Sequence, residues 1–262
     1  MNTQNSIDRD PVQPIVMPHH VVAVWFSCGA ASAVAAKLAV ARWPGQTRIL
    51  NTPVAEEDGD NQRFRSDVEE WIGVEIETVV NPQWPESSAV DVWESRRYIA
   101  GNAGAPCTLE LKKRARQKWE SENQCDWIVL GFTADEQKRA ERFRKHERRE
   151  LLTPLIDERI DKRASFRILE AAGMQLPAVY HRGYPNANCI GCVKASSPEY
   201  WNHVRRDAPD VFIARAEQSR RLGARLVRVN GKRLFLDELP ENARGQPMQS
   251  IQHECGLFCE SE

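Results

Sequence analysis

The sequence predicts an α/β protein: an open, mostly parallel five-stranded sheet with helices on both faces, plus a C-terminal helical and hairpin extension. Three observations carry this expectation. Between residues 20 and 173, short apolar runs rich in β-branched residues alternate with helix-forming stretches, the pattern of a parallel sheet joined by right-handed crossovers. The first run leads into a turn of very small residues, Ser27-Cys28-Gly29-Ala30-Ala31-Ser32, and then into an alanine-rich stretch. Past residue 180 the alternation stops, and a Cys-x-x-Cys loop, two helical stretches and a hairpin follow.

The elements follow in order. Residues 20–26 (His-Val-Val-Ala-Val-Trp-Phe) are apolar throughout and read as a fully buried strand, and residues 33–42 are strong helix formers. Residues 47–52 give a second strand. Residues 60–73 give an amphipathic helix with Phe64, Val68, Trp71 and Ile72 on one face and Gly73 as its stop. Residues 74–80 alternate, and their outward Glu75 and Glu77 place this third strand at a sheet edge. Residues 86–122 are helical with a break at 101–104, residues 127–131 form a fourth buried strand, and 134–146 form a heavily charged helix. A fifth strand over 150–156 and a helix over 161–173 complete the sheet domain. Beyond it come helices near 198–206 and 209–222, then strands over 226–229 and 233–236 around Asn230-Gly231, the strongest two-residue hairpin signal.

This organisation divides the chain into a flexible N-terminal arm (1–18), an α/β domain (19–180) and a cysteine-containing extension (181–262). Its 262 residues suffice for a substantial core, and the net charge of −1 gives no global basic field of the kind that marks a nucleic-acid binder. No apolar run is long enough to span a membrane, and residues 1–18 lack the apolar core of a signal peptide, so a cytoplasmic protein is expected.

A buried strand, a turn of tiny residues and a helix together aim backbone N–H groups and a helix N-terminus at an anion. Small side chains let phosphate approach the main chain, and Ser27 and Ser32 add hydroxyl donors. In an open parallel sheet this turn lies at the switch point, outside the C-terminal strand ends.

Seven cysteines, an odd number in a chain expected in a reducing compartment, argue against a disulfide framework. Cys28 belongs to the small-residue turn, and Cys125 precedes an apolar strand as a structural thiol would. Cys189-Ile190-Gly191-Cys192 sets two thiolates on one short loop, spacing that suits a tetrahedral metal or one corner of a cluster, and equally a redox pair or plain packing.

Taken in order, these motifs resemble the PP-loop branch of the adenine-nucleotide α-hydrolase-like (HUP) proteins, and more closely the phosphoadenosine and adenosine phosphosulfate (PAPS/APS) reductase family. Residues 27–32 stand where that family has its serine- and glycine-rich phosphate loop. Asn51-Thr52, with Glu56-Glu57 and Arg63-Phe64 after it, is similar to the family's second strand end. Residues 127–132 with Asp135-Glu136-Gln137 and Arg139 resemble its fourth strand and arginine-bearing segment. Pro154-Leu155-Ile156, Tyr180 and Gly183-Tyr184 match later stretches, and the tail Glu254-Cys255-Gly256-Leu257 is like the family's C-terminal motif, whose cysteine is the nucleophile. The chain departs from the wider pattern at Cys28 (glycine there), at Ala31 and Asn51 (aspartate there), and at Thr133 and Ala134, where arginine is expected.

The resemblance implies an enzyme that binds an adenine nucleotide at Ser27, Cys28, Gly29, Ala30, Ala31, Ser32, Asn51, Thr52, Gly131 and Arg139, with Cys255 as catalytic thiolate and a thioredoxin-type dithiol as reductant. In the family's cluster-bearing members a similar Cys-x-x-Cys joins an adjacent cysteine pair upstream; here Cys107 stands in that region alone, so a [4Fe–4S] cluster on Cys107, Cys189 and Cys192 would take its fourth ligand from Cys259, or from Cys255. Zinc on the same residues, a cluster with three cysteine ligands, and a redox-active or merely packed Cys189/Cys192 pair are the alternatives. The corresponding alternative functions are ATP-dependent thiolation of tRNA or another nucleic acid, with Lys138 to Arg149 and Arg215 to Arg228 as basic patches, and a non-catalytic, zinc-stabilised nucleotide binder.

Overall fold

The computed structural model describes residues 15–101 and 104–251. The first strand, β1 (Val22–Phe26), is buried at every position, and its alternation assigns Val22, Val24 and Phe26 to one core and Ala23 and Trp25 to another. A parallel sheet covered on both faces demands such a strand. Helix α1 (Ala30–Arg42) follows, three residues longer at its start than the sequence suggests because Gly29 takes the extended N-cap position. Strand β2 (Thr47–Asn51), helix α2 (Asp60–Ile72), stopped by Gly73 in the left-handed conformation, and strand β3 (Ile76–Thr78) lie on one side of β1.

The predicted 86–122 helix is three pieces. Helix α3 (Ala89–Arg96) ends at Arg97, which has φ 49°; Gly101 and Gly104 form a bridge; and a π-helical turn, Thr108–Lys113, runs into α4 (Arg114–Glu122). Strand β4 (Trp127–Val129) returns beside β1, and α5 (Gln137–His146) and β5 (Glu150–Leu152) complete a parallel sheet of order β3-β2-β1-β4-β5. β3 is an edge strand, as its glutamates indicate. β5 stops at Leu152, short of the predicted 156, because Pro154 has no N–H for the ladder and instead opens the short helix α6 (Pro154–Asp157).

Helix α7 (Lys162–Ala171) packs with α1, α2 and α6 over Val22, Val24 and Phe26, while Trp119 of α4 and Phe143 of α5 cover Trp25 and Ile128 on the other face. After the short helix α8 (Ala178–His181), α9 (Pro198–Asp207), α10 (Pro209–Arg221) and the hairpin β6 (Val227–Val229) and β7 (Lys232–Leu234) form the extension. Asn230 and Gly231, both at positive φ, make its turn. The core of the extension recruits α3 and its surroundings: Trp93, Ile99 and Leu111 share one cluster with Cys189, Cys192, Trp201 and Phe212. No helix among the described residues is long and apolar enough to cross a membrane.

Candidate functional site

A cavity of about 420 Å³ opens beyond the C-terminal ends of β1 and β4, where the strand order reverses, and its size is that of a small-molecule site. One wall is the small-residue turn, through Ser27, Gly29, Ala31 and Ser32, with Thr52 and Gly131 beside it. The Ser32 hydroxyl closes this turn: it accepts from the Ser27 N–H at 3.1 Å and donates to the Gly29 carbonyl at 2.8 Å. The Tyr180 hydroxyl, from α8, caps the first helical N–H, that of Ala30, at 3.3 Å.

Gly131 is fixed by close approach. A Cβ there would stand 2.8 Å from the Ser32 nitrogen and 2.9 Å from its Cα, so only glycine lets β4 run out against the first turn of α1.

Three predicted nucleotide-binding residues lie behind the turn rather than on the cavity. Ala30 is buried, and Asn51, also buried, donates its Nδ2 to the Phe26 carbonyl at 2.9 Å and to Cys28 Sγ at 3.7 Å. Cys28 itself takes φ 56°, a left-handed conformation that suits the glycine of the wider pattern and strains a cysteine. Burial first, and the nearby Glu57 second, push its thiol up to about 12, so it is an inert packing group at neutral pH. Burial does the same to Cys125, also raised to about 12.

The cavity is also lined by cations. Lys138, Arg139, Arg142, Lys112 and Lys162 line the cavity against two carboxylates, Asp135 and Glu136. Arg139 pairs with Glu136 and stacks over Phe132 at 5.2 Å, while Glu136 also caps the segment by accepting from the Thr133 N–H at 3.1 Å. Lys112 is 4% exposed and forms a buried ion pair with Glu57 at 2.9 Å. Lys162 donates to the Pro185 carbonyl and to Asn186 Oδ1, tying α7 to the loop that leads into Cys189. Lys112, like Arg139 and Arg142, is expected from sequence to offset substrate charge; Lys162, Tyr180 and the loop at 185–188 are not singled out there as binding residues, because their places depend on segments remote in the chain.

The cysteines lie next door. Cys189 and Cys192 are buried on a loop turned by Gly191 (φ 72°), whose Cβ would strike Val211 at 2.9 Å. The Cys192 N–H donates to the Tyr200 hydroxyl at 2.8 Å. Cys107 packs against the same cluster, and Cys189, Cys107 and Cys192 all lie within electrostatic range of one buried guanidinium, that of Arg215 on α10. Burial lowers the Arg215 pKa; Glu56 and these thiols oppose that shift. Among the described residues no group of three or more His, Cys, Asp and Glu side chains is placed to hold a metal ion. The surroundings nonetheless suit an anionic group, because Arg215 Nε and the Trp93 indole N–H are both buried without an acceptor. Cys255 and Cys259 lie outside the described residues.

Two basic stretches resolve differently. In the 215–228 stretch Arg215 is buried, Arg220 pairs with Asp237 at 2.7 Å and Arg221 pairs with Glu94, while Arg225 and Arg228 are exposed. In the 138–149 stretch, Lys138, Arg139 and Arg142 face the cavity. No family model matches the chain, and no curated protein matches it.

Proposed function

We propose that this chain is a sulfonucleotide reductase-like enzyme, binding the adenine nucleotide PAPS or APS in the cavity and using the Cys255 thiolate in sulfur transfer. One observation carries the proposal: a single cavity is walled by the small-residue turn and by both segments that bear the clustered cysteines. Lys112 stands five residues after Cys107, and Asn188 directly precedes Cys189. Gln249 and Ile251 line the same cavity, and four residues of chain, the separation of Ile251 from Cys255, span at most about 14 Å.

In the proposed reaction the Cys255 thiolate attacks the sulfonate sulfur, and the bond from that sulfur to the phosphate oxygen breaks. The nucleotide leaves as its phosphate, and Cys255 carries an S-sulfonate. A thioredoxin-type dithiol then attacks Cys255 Sγ, releases sulfite, and is itself oxidised to the disulfide as Cys255 is restored. Lys112, Arg139 and Arg142 offset the charge of the bound nucleotide and of the departing phosphate. Cys107, Cys189 and Cys192 would hold a [4Fe–4S] cluster or a zinc ion with a fourth ligand from Cys259, which leaves Cys255 as the nucleophile. That group would join the cysteine-bearing segments beside the cavity and set the local charge.

Sulfite release from PAPS or APS with a dithiol reductant tests the proposal. Cys255→Ser is expected to abolish release while nucleotide binding persists, and release at the wild-type rate by that variant would overturn it. A second reading, ATP-dependent thiolation of a nucleic acid such as tRNA, draws support from the three cysteines gathered at Arg215 and from the basic α5 beside the cavity. RNA that copurifies and dissociates with salt would favour it.

A further inference from the structure

At the end of the sheet opposite the cavity, one imidazole fastens the chain that enters β1. Residues 17–20 (Met-Pro-His-His) form a tight turn, closed by the His20 N–H donating to the Met17 carbonyl at 2.9 Å, and Pro18 stands where its fixed φ suits such a turn. The His20 side chain bends back over this turn. Its Nδ1 accepts from the Met17 N–H at 3.1 Å and from the indole N–H of Trp127, the first residue of β4, at 2.9 Å. Two donors remote from each other in the chain thus converge on a single ring nitrogen.

A neutral imidazole has one acceptor nitrogen, and these contacts assign that role to Nδ1 and the proton to Nε2. A second proton turns Nδ1 into a donor that faces two donors, so both bonds are lost in one step. Histidine is the side chain whose ordinary charge change falls between about pH 5 and 8. The titratable groups near the ring are His19, with ring centroids 4.6 Å apart, Asp126, which accepts from the Val21 N–H at 2.8 Å, and Glu150 of β5, in register with Trp127. The two carboxylates attract an imidazolium, and neither restores an acceptor at Nδ1. The other side-chain bonds to this turn come from amides that do not titrate: Gln46 Nε2 donates to the Met17 and His20 carbonyls at 2.6 and 3.1 Å, and Gln124 Nε2 to the His19 carbonyl at 3.0 Å.

We propose that His20 is a proton-operated latch. Neutral, it pins the turn before β1 to Trp127 of β4; protonated, it lets go, and residues 15–17 detach from the base of the sheet. Ile15 and Met17 are already exposed, whereas Val16 packs against the cluster beneath β1, so the open state uncovers an apolar edge there. The device needs no ligand and stands independently of the function proposed above.

The test follows two signals from pH 8 down to about pH 5 in the full chain. One is the Trp127 indole resonance in nitrogen–proton NMR, assigned with Trp127→Phe; the other is Met17 amide exchange, corrected for its intrinsic rate. The His20 ring protons are titrated in the same samples. The indole resonance is expected to move with the His20 titration, and Met17 protection to fall about tenfold or more alongside it. His20→Asn carries an acceptor oxygen near the place of Nδ1 that does not titrate, and is expected to keep the closed signature throughout. His20→Leu is expected to show the open one throughout. Signals that stay constant while His20 titrates overturn the proposal, as does a pH response that survives in either His20 variant or vanishes in His19→Asn. Opening in step with a general loss of the circular dichroism signal, rather than with His20, also overturns it.

Discussion

Replacing Gly131 with alanine probes the junction that positions the small-residue turn. The added Cβ would sit 2.8 Å from the Ser32 nitrogen, 2.9 Å from its Cα and 3.1 Å from the Ala31 carbonyl carbon. Ordinary contact begins near 3.4 Å, so the backbone of the turn would have to retreat by 3.4 − 2.8, or 0.6 Å. These are main-chain atoms in the first turn of a buried helix, and the Ser32 hydroxyl locks them to Ser27 and Gly29, so the strain cannot be shed by rotating a side chain. Overpacking of this kind costs about 1–3 kcal/mol. The larger expected effect is on binding. Under the proposed function, displacing one N–H of the turn from the phosphate would forfeit a charge-assisted bond of about 1.5–3 kcal/mol and weaken nucleotide affinity about ten- to a hundredfold. Urea denaturation and titration calorimetry with PAPS, APS and ATP read the two quantities. Gly45→Ala is the control: with φ 74° and nothing near its Cβ, it strains the backbone by about 1 kcal/mol and leaves binding unchanged. Gly131→Ala with wild-type stability and affinity would refute the close-approach argument.

Other outcomes follow from the same geometry. Lys112→Met strands the Glu57 carboxylate in the interior and is expected to cost about 3 kcal/mol in denaturant unfolding. Adding Glu57→Gln should recover much of that stability without recovering nucleotide affinity, and recovered affinity would remove Lys112 from the binding site. The Cys28 and Cys125 thiols, both raised to about 12, should resist iodoacetamide at pH 8 in the native protein and react once unfolded. Because their native values lie above the unfolded ones, their contribution to stability is intact at neutral pH and falls above about pH 9, by roughly 1.4 kcal/mol each at pH 10; rapid native labelling at pH 8 would contradict this. Arg63, hydrogen-bonded to Asp60, holds that carboxyl below its ordinary value. Its stabilisation is present above that ordinary value and disappears as pH falls through the native one. Asp60→Asn should therefore cost about 1 kcal/mol at pH 7 and almost nothing near pH 2, and an equal cost at both would exclude an electrostatic origin.

The sheet was legible because its signals are local. A five-residue run as uniformly apolar as β1 has few alternatives to a central strand, and Asn230-Gly231 specifies a tight turn on its own. The length of β5 was misread because the apolar run continues through Leu155 and Ile156, while Pro154 ends the ladder in the middle of it. The turn at 27–32 was legible as a tight strand-to-helix junction, but which of its residues face the cavity was not. Local pattern cannot tell that Cys28 turns backward onto Asn51 while Ser27 and Gly29 face the opening. Arg215 was the least legible of all. In sequence it begins an arginine-rich stretch that reads as a basic patch for nucleic acid, yet it is buried against Trp93, which comes from a distant part of the chain.

The central claim is that a cysteine thiolate of this chain takes sulfur from an adenine sulfonucleotide. Incubating the reduced protein with PAPS or APS in the absence of any dithiol, followed by peptide mass spectrometry, tests it most directly. The account predicts a sulfonate adduct on the peptide bearing Cys255, released as sulfite when a dithiol is added. An unmodified Cys255 after exposure to both nucleotides, or an adduct confined to another cysteine, would contradict it.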